Sequence, residues 1–196
     1  DVVEGDPTER PGGSVPFACR AALDAGWDAR LHTSGTEKLE LALRAALPGV
    51  AITVQRSAHD TVMAFPRRAE LGPRAVPTVA DPIEVAASVD GATLVHLAPI
   101  MGEITPALVE QVVRAPFVGL TPQGLLRNRA PGTGALSHRT HLDPWWSAHV
   151  DAAVLSEPEH AALADPSELA GLALAVTRGE RGCIGYLDGE VCDVPG

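Results

Sequence analysis

Three short segments of this chain hold residue types whose spacing could do chemistry. Near the start, Arg10-Pro11-Gly12-Gly13-Ser14 runs into an alanine-rich stretch. A glycine pair ahead of a helix lets backbone N–H groups face a hydroxyl-rich or anionic ligand with no Cβ in the way. The same residues also make an ordinary turn. Near the end, a strand-like run enters Thr177-Arg178-Gly179-Glu180-Arg181-Gly182 and is followed by Cys183-Ile184-Gly185-Tyr186-Leu187. A strand running into Thr-x-Gly-x-x-Gly is one way a backbone approaches a phosphate chain; a β-turn between two strands accounts for it equally well. No GxxxxGK[ST] exists in the sequence, so this is not a Walker loop. Between the two lies Ser156-Glu157-Pro158-Glu159, which matches the S-x-x-E capping box. A carboxylate there also suits a magnesium ion or its waters beside a transferred phosphate, and both readings can hold at once.

The elements that must position these segments alternate between short β-rich runs and helical patterns, the signature of a mostly parallel sheet with crossover helices. Residues 14–25 predict a helix that Gly26 ends, followed by a strand over 29–32. Residues 36–47 place Leu39, Leu43 and Leu47 on one helical face before Pro48-Gly49 stops it. Runs 50–54 and 61–65, with the Pro/Arg-rich stretch 66–82, read as a hairpin-like flap or peripheral sheet, which places a flap within 50–82. Residues 93–97 form a central strand, Thr105-Pro106 opens a helix as N-cap and N1, and 117–120 is another strand. Residues 128–144 read as a loop-rich insertion, and 152–155, 172–176 and 183–187 supply the last strands.

Composition sets limits. The 196 residues carry 25 acidic and 15 basic side chains, a formal charge of −10, with 45 % apolar and 20 % charged residues. That excludes wholesale disorder and a fibrous repeat. It also disfavours nonspecific nucleic-acid binding, which runs on phosphate neutralisation by Lys and Arg. No apolar run reaches bilayer-spanning length and no signal-peptide pattern opens the chain, so the protein reads as cytoplasmic, with no membrane partner. Cys19, Cys183 and Cys192 lack CxxC spacing and read as buried or partly buried thiols. The chain reads as a single domain that looks incomplete at both ends, since it opens on Asp1 and stops at Gly196 just after a strand-like run.

Taken together, these segments resemble the PfkB carbohydrate kinase family, the ribokinase-like sugar and nucleoside kinases. The resemblance rests on order and distance over essentially the whole chain: PGGS before an Ala-rich helix, LVHLAPIMGE, FVGLTPQGLLR, VLSEPE and LAVTRGERG. It implies a three-layer α/β/α sandwich with a mostly parallel sheet and a small β flap. The implied activity is transfer of the ATP γ-phosphoryl group, with Mg2+, to a hydroxyl of a small-molecule sugar or nucleoside. Asp1 then matches the acidic residue that accepts hydrogen bonds from substrate hydroxyls, and Gly12 and Gly13 match the pair lining the sugar site. Ser156 and Glu159 stand where the family has Asn-x-x-Glu, its phosphate and magnesium element. Thr177 and Gly179 match the nucleotide-side Thr-x-Gly, and Arg127 is a further anion contact. Flap pairing makes dimers in parts of the family, so a homodimer is admitted here.

The departures are specific. Phe17 stands where members carry Asn after the glycine pair, and Ser156 replaces the Asn of Asn-x-x-Glu. The Gly-Ala-Gly-Asp motif, with its anion hole and aspartate base, is absent; Pro131-Gly132-Thr133-Gly134-Ala135 lacks the Asp and lies elsewhere. No catalytic residue is therefore assigned, and the alternative reading is a non-catalytic sugar- or nucleotide-binding module derived from that family. Losing base and anion hole would remove several orders of magnitude in rate.

Other constellations read as structural. His138, His141 and His149 lack the carboxylate or Cys pattern of a metal site and read as solvated loop residues. Trp145-Trp146 after Asp143-Pro144 reads as a packing anchor at a helix start, and His96 as a satisfied core histidine.

Overall fold

In the computed structural model, residues 2–3, 11–65, 74–84 and 89–196 are described. The chain divides into two compact units, residues 1–88 with 128–137 and residues 89–127 with 138–196.

The first unit opens with β1 (Val2–Val3), α1 (Val15–Asp24), β2 (Arg30–Gly35), α2 (Glu37–Ala46) and β3 (Ala51–Arg56). Gly26 ends α1 by adopting φ +80°, and its N–H donates to the Leu23 carbonyl at 2.9 Å. Strands β2 and β3 pair in parallel from Arg30↔Ala51 to Gly35↔Arg56, joined by α2 as crossover. Leu31, Leu43, Leu47, Val50, Ile52 and Cys19 form the core between them, with Leu23 and Leu39 packed against it. Each fully buried Leu or Ile there contributes roughly 1.5–3 kcal/mol. Thr36 caps α2 by accepting from the Leu39 N–H at 3.4 Å, and Asp60 holds Thr36 in place by accepting from its N–H at 2.6 Å and its hydroxyl at 2.9 Å.

The unit continues with β4 (Val62–Phe65) and β5 (Ala75–Thr78). Here the hairpin reading of residues 50–65 is corrected. β3 belongs to β2, whereas β4 pairs in parallel with β1 and antiparallel with β5. The run at 50–56 is the return strand of a β-α-β unit, so its closeness in sequence to β4 does not make a hairpin. Of the Pro/Arg-rich stretch, residues 66–73 lie outside the described residues.

The second unit holds β6 (Val95–Leu97), α3 (Pro106–Val112) and β7 (Val118–Leu120). Thr105 caps α3 by accepting from the Leu108 N–H at 3.2 Å. Next come β8 (Arg127–Arg129) and β9 (Leu136–His138), which pair with each other where the sequence suggested loop. Residues 128–137 of this hairpin belong to the first unit. There the Val76 N–H donates to the Gly134 carbonyl at 2.9 Å, and the Arg129 guanidinium donates to the Val76 and Pro77 carbonyls at 2.6 and 2.8 Å. A Cβ on Gly134 would lie 2.6 Å from the Val76 oxygen, so the Pro131–Ala135 string is a close approach of two backbones.

The remaining elements are α4 (Pro144–Ser147), β10 (Ala152–Ser156), α5 (Glu157–Ala162), β11 (Ala173–Thr177), β12 (Cys183–Leu187) and β13 (Glu190–Val194). The six-stranded sheet runs β13-β12-β11-β10-β7-β6, parallel from β11 to β6 and antiparallel through β12 and β13. Leu97, Val118, Leu120, Ala153, Leu155 and Val176 bury its central strands, with Leu108, Val109 and Val112 of α3 also buried. Trp146 is buried and meets Trp145 edge-on at 5.1 Å, which fits the anchor reading. Of the thiols, Cys19 is buried and Cys183 half-buried, but Cys192 is exposed, against expectation, because it sits on the outermost strand β13.

Candidate functional site

Strands β10 and β11 are parallel neighbours, with Ser156 directly opposite Thr177 in the ladder. Two segments about twenty residues apart in sequence therefore end side by side. β7 flanks β10 on its other side and leads into Thr121-Pro122-Gln123-Gly124. In open α/β sheets ligands bind outside the carboxyl ends of the strands, and these three ends are consecutive.

At the β10 end the Ser156 hydroxyl accepts from the Glu159 N–H at 3.4 Å, and Glu159 Oε2 accepts from the Ser156 N–H at 2.8 Å. This is the reciprocal capping box of α5. The other carboxylate oxygen, Oε1, accepts from Gln123 Nε2 at 3.1 Å. At the β11 end the Thr177 hydroxyl donates to the Leu155 carbonyl at 3.3 Å. Gly179 follows with φ +61° and no described atom within 4 Å of where a Cβ would stand, while a Cβ on Gly182 would strike the Val194 carbonyl oxygen. Arg178 binds Asp193 and donates to the Arg181 carbonyl at 3.1 Å. Arg181 reaches Glu157 at 2.5 Å, joining the two strand ends. With side-chain exposures of 65 % and 50 %, that ion pair is held weakly enough to exchange partners.

Arg127 occupies a different place from these residues. It is 5 % exposed and donates to the Ile100 carbonyl at 3.2 Å. Glu103, also buried, accepts from the Ile100 and Met101 N–H groups at 3.0 and 2.7 Å. Together they brace the loop after β6. His96 lies nearby, its Nε2 2.9 Å from the Thr121 hydroxyl, and burial lowers its pKa below the ordinary histidine value.

Gly12 and Gly13 belong to the first unit and precede α1, with Gly13 at φ +80°. The Ser14 side chain makes no cap bond, and the first turn of α1 contains no acidic residue. Phe17 stands on the third residue of that helix, 70 % exposed. Asp1 lies outside the described residues.

The structure thus brings Ser156, Glu159, Thr177 and Gly179 to one sheet end. Sequence reasoning missed the side chain that completes this corner, Gln123, although its segment TPQG was conspicuous. Among the histidines, His141 Nδ1 lies 2.7 Å from Glu168 Oε1. His149 stacks on Trp145 at 4.2 Å, and its Nδ1 donates to the Trp145 carbonyl at 2.6 Å. No cluster of three metal-ligating side chains is found among the described residues, nor any helix long and apolar enough to cross a membrane.

No family model matches the sequence, and no curated protein matches it. Solved structures do resemble it. A pyrophosphate-dependent kinase in the ribokinase family, complexed with a pyrophosphate analog and myo-inositol, is 22 % identical with TM-score 0.79, over 99 % of this chain and 73 % of that one. A sulfate complex of a pyrophosphate-dependent kinase in the ribokinase family is 21 % identical with TM-score 0.78, over 99 % and 74 %. Arabidopsis thaliana ribokinase, complexed with ribose and ATP, is 14 % identical with TM-score 0.60, over 98 % and 72 %. At such identities the likeness speaks for architecture, and with its mostly parallel sheet flanked by helices this chain has the ribokinase-like α/β fold.

Proposed function

We propose that this chain binds a magnesium-bound phosphoanhydride donor at the Ser156/Thr177 sheet end and serves transfer of its terminal phosphoryl group to a hydroxyl of a small sugar-like molecule. The observation that carries this is the pairing of Ser156 with Thr177 on adjacent parallel strands, with Glu159 held between Ser156 and Gln123. Gly179 offers the donor phosphates its backbone, with open space beside it among the described residues, and the Thr177 hydroxyl serves them by turning its proton away from the Leu155 carbonyl, a long bond of 3.3 Å. ATP is the donor the sequence resemblance implies. Pyrophosphate is the second candidate, because two of the similar structures are of pyrophosphate-dependent kinases.

The residues present fit magnesium. Each Glu159 oxygen spends one lone pair on a hydrogen bond and keeps another, and hard oxygen ligands suit this ion. With no three-residue acidic cluster among the described residues, Glu159 would hold the ion together with waters and donor oxygens rather than in a protein cage. Bound there, magnesium supplies neutralisation of charge on the phosphate oxygens. On the acceptor side Gly12 and Gly13, with Asp1, line the sugar or nucleoside site in this reading. The first N–H groups of α1, which the Ser14 side chain does not cap, would serve its hydroxyls. Transfer of this kind is mostly positioning and electrostatics. None of the 196 residues is assigned as base, so the chain by itself is expected to bind without full-rate turnover.

The test is calorimetric titration with ATP and with pyrophosphate, each with and without Mg2+, followed by 31P NMR of mixtures containing myo-inositol, ribose or a nucleoside. Mg2+-dependent binding of one donor supports the reading. Binding of neither donor overturns it, and full-rate phosphorylation by residues 1–196 overturns the assignment of no base.

A further inference from the structure

In the segment Thr121-Pro122-Gln123-Gly124, three residues are committed to the scaffold. The Thr121 N–H donates to the Leu97 carbonyl at 2.8 Å, and its hydroxyl meets His96 Nε2 at 2.9 Å. Pro122 is fully buried. Gly124 donates to the Pro99 carbonyl at 2.9 Å and lies so close to the 99–100 backbone that a Cβ would stand 2.5 Å from the Pro99 oxygen. What these contacts fix is the backbone on both sides of Gln123, whose amide then donates to Glu159 Oε1 at 3.1 Å.

We infer that Gln123 is a positioning residue that sets the plane of the Glu159 carboxylate for a divalent cation; this rests on the donor-binding reading above. A carboxylate tied at both oxygens, by Gln123 and by the Ser156 N–H, has less rotamer freedom to lose when a cation arrives. The chemistry of the tether also matters. A neutral amide orients the carboxylate and leaves its charge for the cation, where a guanidinium or ammonium would compete. A purely structural Gln123 would serve only to pin α5 to the β7 end.

Gln123→Leu keeps the size and removes the donor group. Mn2+ binding to the protein is followed by electron paramagnetic resonance, and pyrophosphate and ATP binding by calorimetry with Mn2+ or with chelator. The expected result is a loss of Mn2+ affinity of about tenfold, the scale for outer partners of metal ligands, with donor binding in chelator unchanged. In the double variant with Glu159→Gln the two losses do not add, because both act through one carboxylate. Unchanged Mn2+ affinity, an equal loss with and without metal, or additive losses each overturn the assignment. Should Gln123→Leu not fold, the unmodified protein decides. Substoichiometric Mn2+ must broaden the Gln123 side-chain amide resonances in NMR spectra, and unbroadened resonances overturn the proposal. Gln123-dependent Mn2+ binding with no donor bound keeps this inference and removes the donor reading. Mn2+-dependent donor binding that does not depend on Gln123 does the reverse, and a wild-type protein that binds no Mn2+ removes the inference outright.

Discussion

Where β10 ends, the Ser156 hydroxyl and both Glu159 carboxylate oxygens are engaged from within the unit, whereas at the Gly12–Gly13 turn the Ser14 side chain makes no bond to the helix it precedes. One candidate ligand end is built from side chains already locked in place, the other from a turn whose serine does not cap the helix after it. A locked corner suits a compact, highly charged group, since fixed dipoles and charges cost no reorganisation when it binds. An open turn suits a hydroxyl-bearing ligand that completes the hydrogen bonding itself. The contrast appears again inside the first unit, where Thr36 caps α2 and is itself held by Asp60, while Ser14 makes no side-chain bond to the start of α1.

The largest effect expected from breaking the locked end is at Gly124. A Cβ there meets the Pro99 oxygen at 2.5 Å and the Ile100 carbonyl carbon at 2.6 Å, and backbone has to shift. Gly124→Ala is expected to cost about 3 kcal/mol in urea unfolding. Gly179→Ala meets open space and bears only its φ of +61°, about 1 kcal/mol. Equal midpoints for the two variants would show that the loop after β6 is not braced as described.

Glu159→Gln separates charge from capping. A glutamine can still close the capping box, so stability is expected to move by less than about 0.5 kcal/mol. Mg2+-dependent donor affinity is expected to fall about tenfold, or ~1.4 kcal/mol. Unchanged donor affinity would return Glu159 to a purely capping role.

The comparison itself is sharpened by a matched pair of serines. Ser156→Ala removes a working cap and is expected to cost about 1 kcal/mol. Ser14→Ala removes a hydroxyl without a cap bond and is expected to stay within about 0.5 kcal/mol. If Ser14→Ala costs as much as Ser156→Ala, the start of α1 is closed in solution and the contrast between the two ends fails.

What could be read from the sequence follows the range of the forces involved. Helix starts at Thr105 and Ser156 are legible because capping acts over three residues, the 36–47 helix because its leucines repeat every four, and the Gly26 stop because a left-handed turn is local. The partnership of β2 with β3 is not, since 50–54 and 61–65 lie close in sequence and pairing partners are chosen by tertiary packing. Each motif at the candidate site was visible alone. That Ser156 and Thr177 face each other depends on register between strands, and that Gln123 reaches Glu159 depends on a contact across 36 positions. Arg127 was picked out as a cation in a motif, yet its burial against Ile100 could only come from the folded chain.

The smallest expected effect concerns pH and compares one histidine in each unit. Burial lowers the pKa of His96 in the second unit and of His32 in the first below the ordinary value of 6.5. Each is a base that the folded state holds more readily without its proton. Below about pH 6.5 the unfolded chain therefore binds more protons than the folded one, and stability falls with pH through that window. Above it the contribution of both groups is fully present. His96→Gln can keep a hydrogen bond toward Thr121 and removes the titration, so its urea midpoint is expected to vary less between about pH 7 and pH 5 than that of the unmodified chain. His32→Gln is expected to flatten the same window by a smaller amount, since His32 is less deeply buried than His96. An unaltered slope in the His96 variant would mean that the imidazole reaches water through the Thr121 side. A larger flattening for His32 than for His96 would place the more closed interior in the first unit.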